Sequence, residues 1–205
     1  MLLSGGASAA PTQSAVILVF GDSLSAGYGL RADQAWPPLL QTRLNQNGGK
    51  TQVINASVSG ETTAGGLTRL PATLAQHKPT LVILELGAND GLRGLPVNNA
   101  QQNLGKMIQL AQASGARVHL VGMQIPPNFG PDYTKAFAAM YPALAKQYQT
   151  SITPFLLAPV IMKPELFQPD QLHPVAAGEP LIVEQIYTDI QPALAPAKAA
   201  KKRAG

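Results

Sequence analysis

The chain has 205 residues, 45% hydrophobic and 13% charged, which suits one globular domain with a substantial core and excludes a disordered chain. Its formal charge of +4 belongs to one end: taking Lys198, Lys201, Lys202 and Arg203 from the 15 basic residues leaves 11 against 11 acidic ones. A neutral body gives no reason to expect a nucleic-acid partner, and with no cysteine there is no disulfide, thiolate metal site or cysteine nucleophile.

Residues 1–14, "MLLSGGASAAPTQS", are small and polar. They read as a flexible leader or the residual end of a secretory signal. Apolar runs and helical stretches then alternate. "AVILVF" (15–20), "TQVINA" (51–56), "TLVILELG" (80–87), "RVHLVGM" (117–123) and "SITPF" (151–155) read as short strands. Several are apolar at consecutive positions, as expected of strands covered on both faces. Helical candidates lie near 33–47, 62–76, 98–114 and 132–149. A last one is expected from about 174 to 194, opening at Pro174, a good first-turn residue. "NGG" at 47–49 and "SGA" at 114–116 are helix stops. This alternation predicts an α/β domain over 15–195, with a parallel sheet and helices on both faces. Residues 196–205 form a basic tail, read as disordered. No run of about 18 apolar residues occurs, so stable membrane insertion is not expected.

In open α/β sheets, ligands bind outside the carboxyl ends of the strands. The segments there are "GDSLSAGYG", "SVSGETT", "GANDGLRG" and "QIPPNFGPDY". The first is not a phosphate cradle. No Walker Lys-Ser or Lys-Thr pair occurs, and Gly21, Gly27 and Gly29 do not give the dinucleotide spacing. Metal binding has no support from His77, His119 and His173, which are far apart in sequence. His119 sits in an apolar strand and reads as a core residue; His77 sits at a helix end, where it suits the dipole.

His173 lies three residues after Asp170 in "PDQLHP". One short turn would bring the carboxylate to Nδ1 and leave Nε2 free to take a proton, which is half of a serine-hydrolase triad. The same residues also read as a helix start, with Asp170 near the N-cap. Ser23, after the first strand, is the candidate nucleophile, and its N–H would face an oxyanion from a helix N-terminus. Gly60 and Asn89 offer a second and a third donor, although each alone also reads as a turn residue. Gly21 is expected to let the strand turn sharply, and Asp22 to hydrogen-bond nearby loop backbone. Ser25, Ser57 and Ser59 read as turn or capping residues.

Together, "GDSLSAGYG", "NASVSGETTAGGL", "ELGANDGLRG" and "DQLHP" resemble, in order, four of the sequence blocks of the SGNH, or GDSL, hydrolase family. They span residues 19–174. The resemblance implies a three-layer α/β/α flavodoxin-like fold with a five-stranded parallel sheet. It implies a Ser23–His173–Asp170 triad, with oxyanion donors at Ser23, Gly60 and Asn89, and no metal or cofactor. "RLPATLAQHKP", "QIPPNFGPDYTKAF" and "LFQPDQLHP" are similar to a bacterial periplasmic branch of thioesterases, lysophospholipases and arylesterases. That similarity implies small acyl ester or thioester substrates, a monomer, and a periplasmic or secreted location. The alternative within the fold is a carbohydrate acetyl esterase. The acyl chain is expected along Leu92, Leu95, Pro96, Ile125, Pro126, Pro127 and Phe129, which are apolar loop residues, and some of these would equally serve only to pack the loops. Arg93, the one charge among them, reads as a headgroup contact or, more simply, a solvated loop residue.

Overall fold

The computed structural model describes residues 15–195; the leader and the basic tail lie outside the described residues. Five parallel strands, β1 (Val16–Gly21), β2 (Gln52–Asn55), β3 (Leu81–Glu85), β4 (Arg117–Val121) and β5 (Ser151–Thr153), pair in the order β2-β1-β3-β4-β5. Every residue of β3 is buried. A strand apolar at nearly every position needs cover on both faces, and its sequence asks for that.

The cover comes from α1 (Ser23–Ala26), α2 (Trp36–Asn45), α3 (Thr63–His77), α4 (Ala88–Leu92), α5 (Val97–Ala113), α6 (Pro131–Tyr148), α7 (Glu179–Asp189) and α8 (Gln191–Leu194). Helices α3, α5 and α6 pack in succession on one another, and α2 packs on α7. Phe20, Trp36, Phe137 and Tyr141 are fully buried between these layers and the sheet. Close approach is built in at Gly66 of α3, where a Cβ would sit 2.4 Å from Leu86 Cδ1.

The expected helix at 174–194 begins later, at Glu179. Pro174 instead pairs with Phe167 in an isolated antiparallel bridge, closed by Gln168 N–H to His173 O (2.8 Å) and Val175 N–H to Leu166 O (2.8 Å). The proline that opens α7 is Pro180. Pro174 is thus spent on holding His173 in an extended segment.

His119 is a core residue, as its strand suggested. Its Nδ1 lies 2.8 Å from Ser151 Oγ and its Nε2 2.9 Å from Thr153 Oγ1. Thr153 donates its own proton to Asp189 Oδ2 (2.7 Å), so it accepts from Nε2–H, and Nδ1 accepts from Ser151. Burial pushes the imidazole down to about 4, which favours this neutral form.

The strand order reverses between β1 and β3, so the turns after these two strands face one crevice. On the other side of β1, α2 is tied to α7 through Glu179, which is buried and accepts the Trp36 N–H at 2.7 Å. Burial pushes the Glu179 carboxyl up to about 7 from 4.5. Between those values the folded chain keeps a proton that the unfolded chain has released, so stability falls as pH rises through the window. Glu179→Gln keeps an acceptor for Trp36 and removes that loss. It should melt on the order of 5 °C above the parent at pH 8, with the gap shrinking towards pH 5. A gap independent of pH in calorimetry would contradict the shifted carboxyl.

Candidate active site

The register of β1 on β3 sets Gly21 opposite Glu85. A Cβ on Gly21 would come within 2.5 Å of Glu85 Oε2. Gly21 ends the strand without a positive φ, so glycine is needed there for space and not for the sharp turn expected. Asp22 follows as the N-cap of α1, its Oδ1 accepting the Leu24 N–H at 3.1 Å. Ser23 is then the first residue of α1, where N–H groups lack intrahelical acceptors.

Ser23 Oγ lies 2.8 Å from His173 Nε2, and His173 Nδ1 lies 2.7 Å from Asp170 Oδ2. The other carboxylate oxygen, Asp170 Oδ1, accepts the N–H groups of Leu172 (2.9 Å) and His173 (3.0 Å). The D-x-x-H spacing is therefore a turn in which the aspartate caps its own loop and orients its own histidine. Gln171 completes that turn with φ of 57°. Burial of Asp170 acts to raise its pKa, but the two N–H groups and the imidazole outweigh it and hold the carboxyl below its ordinary value. It is a carboxylate at neutral pH, suited to fixing Nδ1–H.

The donors expected around Ser23 are placed differently from one another. Gly60 has φ of 79°, and a Cβ there would meet nothing within 4 Å; its carbonyl accepts Arg93 Nη2 at 3.1 Å. Arg93 thus ties down the Gly60 turn. Asn89, in α4, has both amide hydrogens engaged: Nδ2 donates to Asp22 Oδ2 (3.1 Å) and to Glu61 O (3.0 Å). Ser25 Oγ donates to Glu85 Oε2 (2.7 Å) and is structural.

A cavity of about 430 Å³ opens beside Ser23, Asn89 and His173, within the usual size for a small-molecule site. Leu92, Ile125, Pro126 and Pro127 line it. Leu95, Pro96 and Phe129 do not. The Leu95 carbonyl instead accepts the Tyr133 hydroxyl (2.6 Å), Pro96 is the N-cap of α5, and Phe129 stacks on Tyr133 with centroids 6.4 Å apart. Sequence reasoning missed Met123, Phe155, Leu157, Ile161, Phe167 and Leu172, which also line the cavity. For most of them the signal is the apolar density of "PFLLAPVIMKPELF" after β5, at the same end of the sheet as the other loops. Among the described residues no three His, Asp or Glu side chains gather into a set that would hold a metal ion, and no helix is long and apolar enough to cross a membrane.

Residues 19–180 match the GDSL-like Lipase/Acylhydrolase family. The chain belongs to that family. This GDSL-family protein is 49% identical to "Esterase TesA" of Pseudomonas aeruginosa, over 87% of its own length and 89% of the relative's. It is 42% identical to "Thioesterase 1/protease 1/lysophospholipase L1" of Escherichia coli K12, over 94% of its length and 89% of the relative's. Among solved structures it is similar to the psychrotrophic esterase EstA from Pseudoalteromonas sp. inhibited by monoethylphosphonate. The TM-score is 0.84 at 41% identity, covering 87% of this chain and 98% of the other.

Two buried carboxyls lie under the Ser23 turn of this GDSL-family protein. Burial first and the Asp22 charge second hold Glu85 well above the ordinary carboxyl range, which favours its uncharged form; Glu85 Oε1 is buried with no hydrogen-bond partner. Burial pushes Asp22 up to about 6, against the pull of the Leu24 N–H, the His173 charge and the Asn89 amide. The amide's share is testable. The Asp22 carboxyl should titrate near 6 by 13C NMR, and Asn89→Ala should move the midpoint upward, because a donor to the charged form is lost. An unchanged midpoint would show that the amide does not hold the carboxylate.

Proposed function

We propose that this protein hydrolyses carboxylic esters and thioesters through a serine acyl-enzyme. The observation that carries this is the unbroken relay from Ser23 Oγ through His173 to Asp170 at the mouth of an apolar cavity. Ser23 Oγ attacks the acyl carbonyl while His173 Nε2 takes its proton, and Asp170 holds the imidazole and balances the imidazolium. His173 then gives that proton to the departing alkoxide or thiolate. Water attacks the acyl-enzyme by the same route and frees the acid.

The oxyanion is met by the Ser23 and Gly60 N–H groups and by Asn89. Both Asn89 hydrogens already have acceptors. Donation to the oxyanion therefore exchanges the bond to the neutral Glu61 carbonyl, while Asp22 keeps the amide in place. The exchange favours the transition state, since a charged oxygen is a better acceptor than a carbonyl.

The cavity lining favours an acyl chain over a sugar, and the names of the relatives, an esterase and a thioesterase/lysophospholipase, agree with small acyl substrates. The relay is complete within one chain, so a monomer suffices. The apolar lining and these names favour this reading over the carbohydrate acetyl esterase alternative.

Ser23→Ala should lower ester hydrolysis by on the order of 10⁴-fold or more while the circular dichroism spectrum stays the same. A fluorophosphonate probe should label Ser23 by mass spectrometry; label on Ser25, Ser57 or Ser59 would reject the assignment.

Chain-length preference provides a separate check. Each buried CH₂ contributes about 0.8 kcal/mol, close to a fourfold gain. The kcat/KM should therefore rise from acetyl to medium acyl esters and level off where the cavity ends. Ile161 lines the cavity and is also half exposed, so Ile161→Asp should fold and flatten the rise, with little effect on acetyl esters. If acetyl esters are the best substrates of both proteins, the acyl cavity has been misread and the deacetylase reading returns.

A further inference from the structure

Gln168 is neither in the relay nor on the cavity wall, yet it touches both halves of the site. Its backbone N–H donates to the His173 carbonyl at 2.8 Å. Its Nε2 donates to two carbonyls from different loops, Tyr28 O at 2.8 Å and Pro174 O at 3.0 Å. Two carbonyl oxygens at one end of an amide require that end to be the nitrogen. The neighbouring Gly29 has φ of 75°, and a Cβ there would lie 2.2 Å from Gln168 Oε1. The side chain fills space that only a glycine leaves open.

Tyr28 carries the connection to the nucleophile. Its N–H donates to Ser23 O at 3.1 Å, and its ring lies on the His173 imidazole, with centroids 4.7 Å apart and planes at 42°. Tyr28 is 54% exposed, so core packing does not account for its position. The contacts close a ring: Ser23 to Tyr28, Tyr28 to Gln168, Gln168 to His173, and His173 back to Ser23 through the 2.8 Å contact of Nε2 with Oγ.

We propose that Gln168 is a positioning residue that sets the distance between nucleophile and base by latching the Tyr28 turn to the His173 loop. The proposal rests on the serine-hydrolase reading above. Nucleophile and base come from segments distant in sequence, and the Gln168 amide ties their two loops together directly, beside the Tyr28 ring on the imidazole. A displacement of about 1 Å between reacting groups costs on the order of a hundredfold in rate. The amide lies off the cavity wall, so its loss acts on kcat and spares substrate binding.

The test is a set of variants read on p-nitrophenyl acetate. Gln168→Met keeps the length of the side chain and removes both donors. Its kcat should fall about ten- to a hundredfold, with KM within about a factor of two and an unchanged melting temperature. Tyr28→Leu, which removes the ring from the imidazole, should fall similarly, and Tyr28→Phe should restore most of that loss. A Gln168→Met enzyme with the parent kcat would overturn the proposal. So would a Gln168→Met protein that loses its fold together with its activity, since the amide would then be a structural tie. Ser23→Ala run alongside separates the two readings. If Ser23→Ala stays active, the serine mechanism itself fails; if it is dead while Gln168→Met is unimpaired, only the latch fails.

Discussion

The Asp22 carboxylate is fully buried, and the site is arranged around satisfying it. One oxygen caps the short helix that Ser23 opens, and the other holds the Asn89 amide that arrives from the turn after β3. A buried carboxylate is tolerated only when it is hydrogen-bonded. Here its donors are the first turn of the helix that Ser23 opens and the Asn89 amide. The same two bonds that satisfy Asp22 therefore hold the Ser23 turn and the Asn89 amide in register with each other. The backbone N–H of Asp22 goes to Glu85 Oε2 at 3.3 Å, so the whole turn is held from below as well as from the side.

That arrangement is possible because of the sheet. Parallel strands end on one side, and the order β2-β1-β3-β4-β5 sets the turns after β1 and β3 against each other. The loops after β4 and β5 complete the cavity wall, through Ile125 to Pro127 on one side and Phe155 to Leu172 on the other. Polar groups gather near the switch point and apolar ones beside it. A carbonyl and its acyl tail ask for the same division.

The titratable groups divide in the same way. Burial drives Glu85, Glu179 and His119 towards their uncharged forms, and each sits where an ion would have no counter-charge. Asp170 is shifted the other way, because it remains partly exposed and accepts two N–H groups from its own turn. The fold thus suppresses charge at these three buried positions and keeps an anion at Asp170, behind the imidazole.

The order of elements, the parallel sheet and the Ser23, Asp170 and His173 constellation are legible in the chain itself. They depend on local signals: consecutive Val, Ile and Leu, Gly-rich turns at strand ends, and a D-x-x-H turn that closes over four residues. Periodicity could not place the start of the last helix, because Pro174 suits either a first helical turn or an extended bridge, and the pairing with Phe167 decides between them. Nor could it choose which apolar loop residues face the cavity. Leu92 does and Leu95 does not, although only three positions separate them, because Leu92 ends α4 while the Leu95 backbone is claimed by Tyr133. The reason Gly21 must be glycine, the Asn89 bond to Asp22 and the Gln168 bond to Tyr28 likewise lie across gaps of more than sixty residues. Residue types and short turns are set by neighbours along the chain. Which side chains share a wall, a proton or a carbonyl is set by strand register and loop packing, which exist only once the sheet has closed.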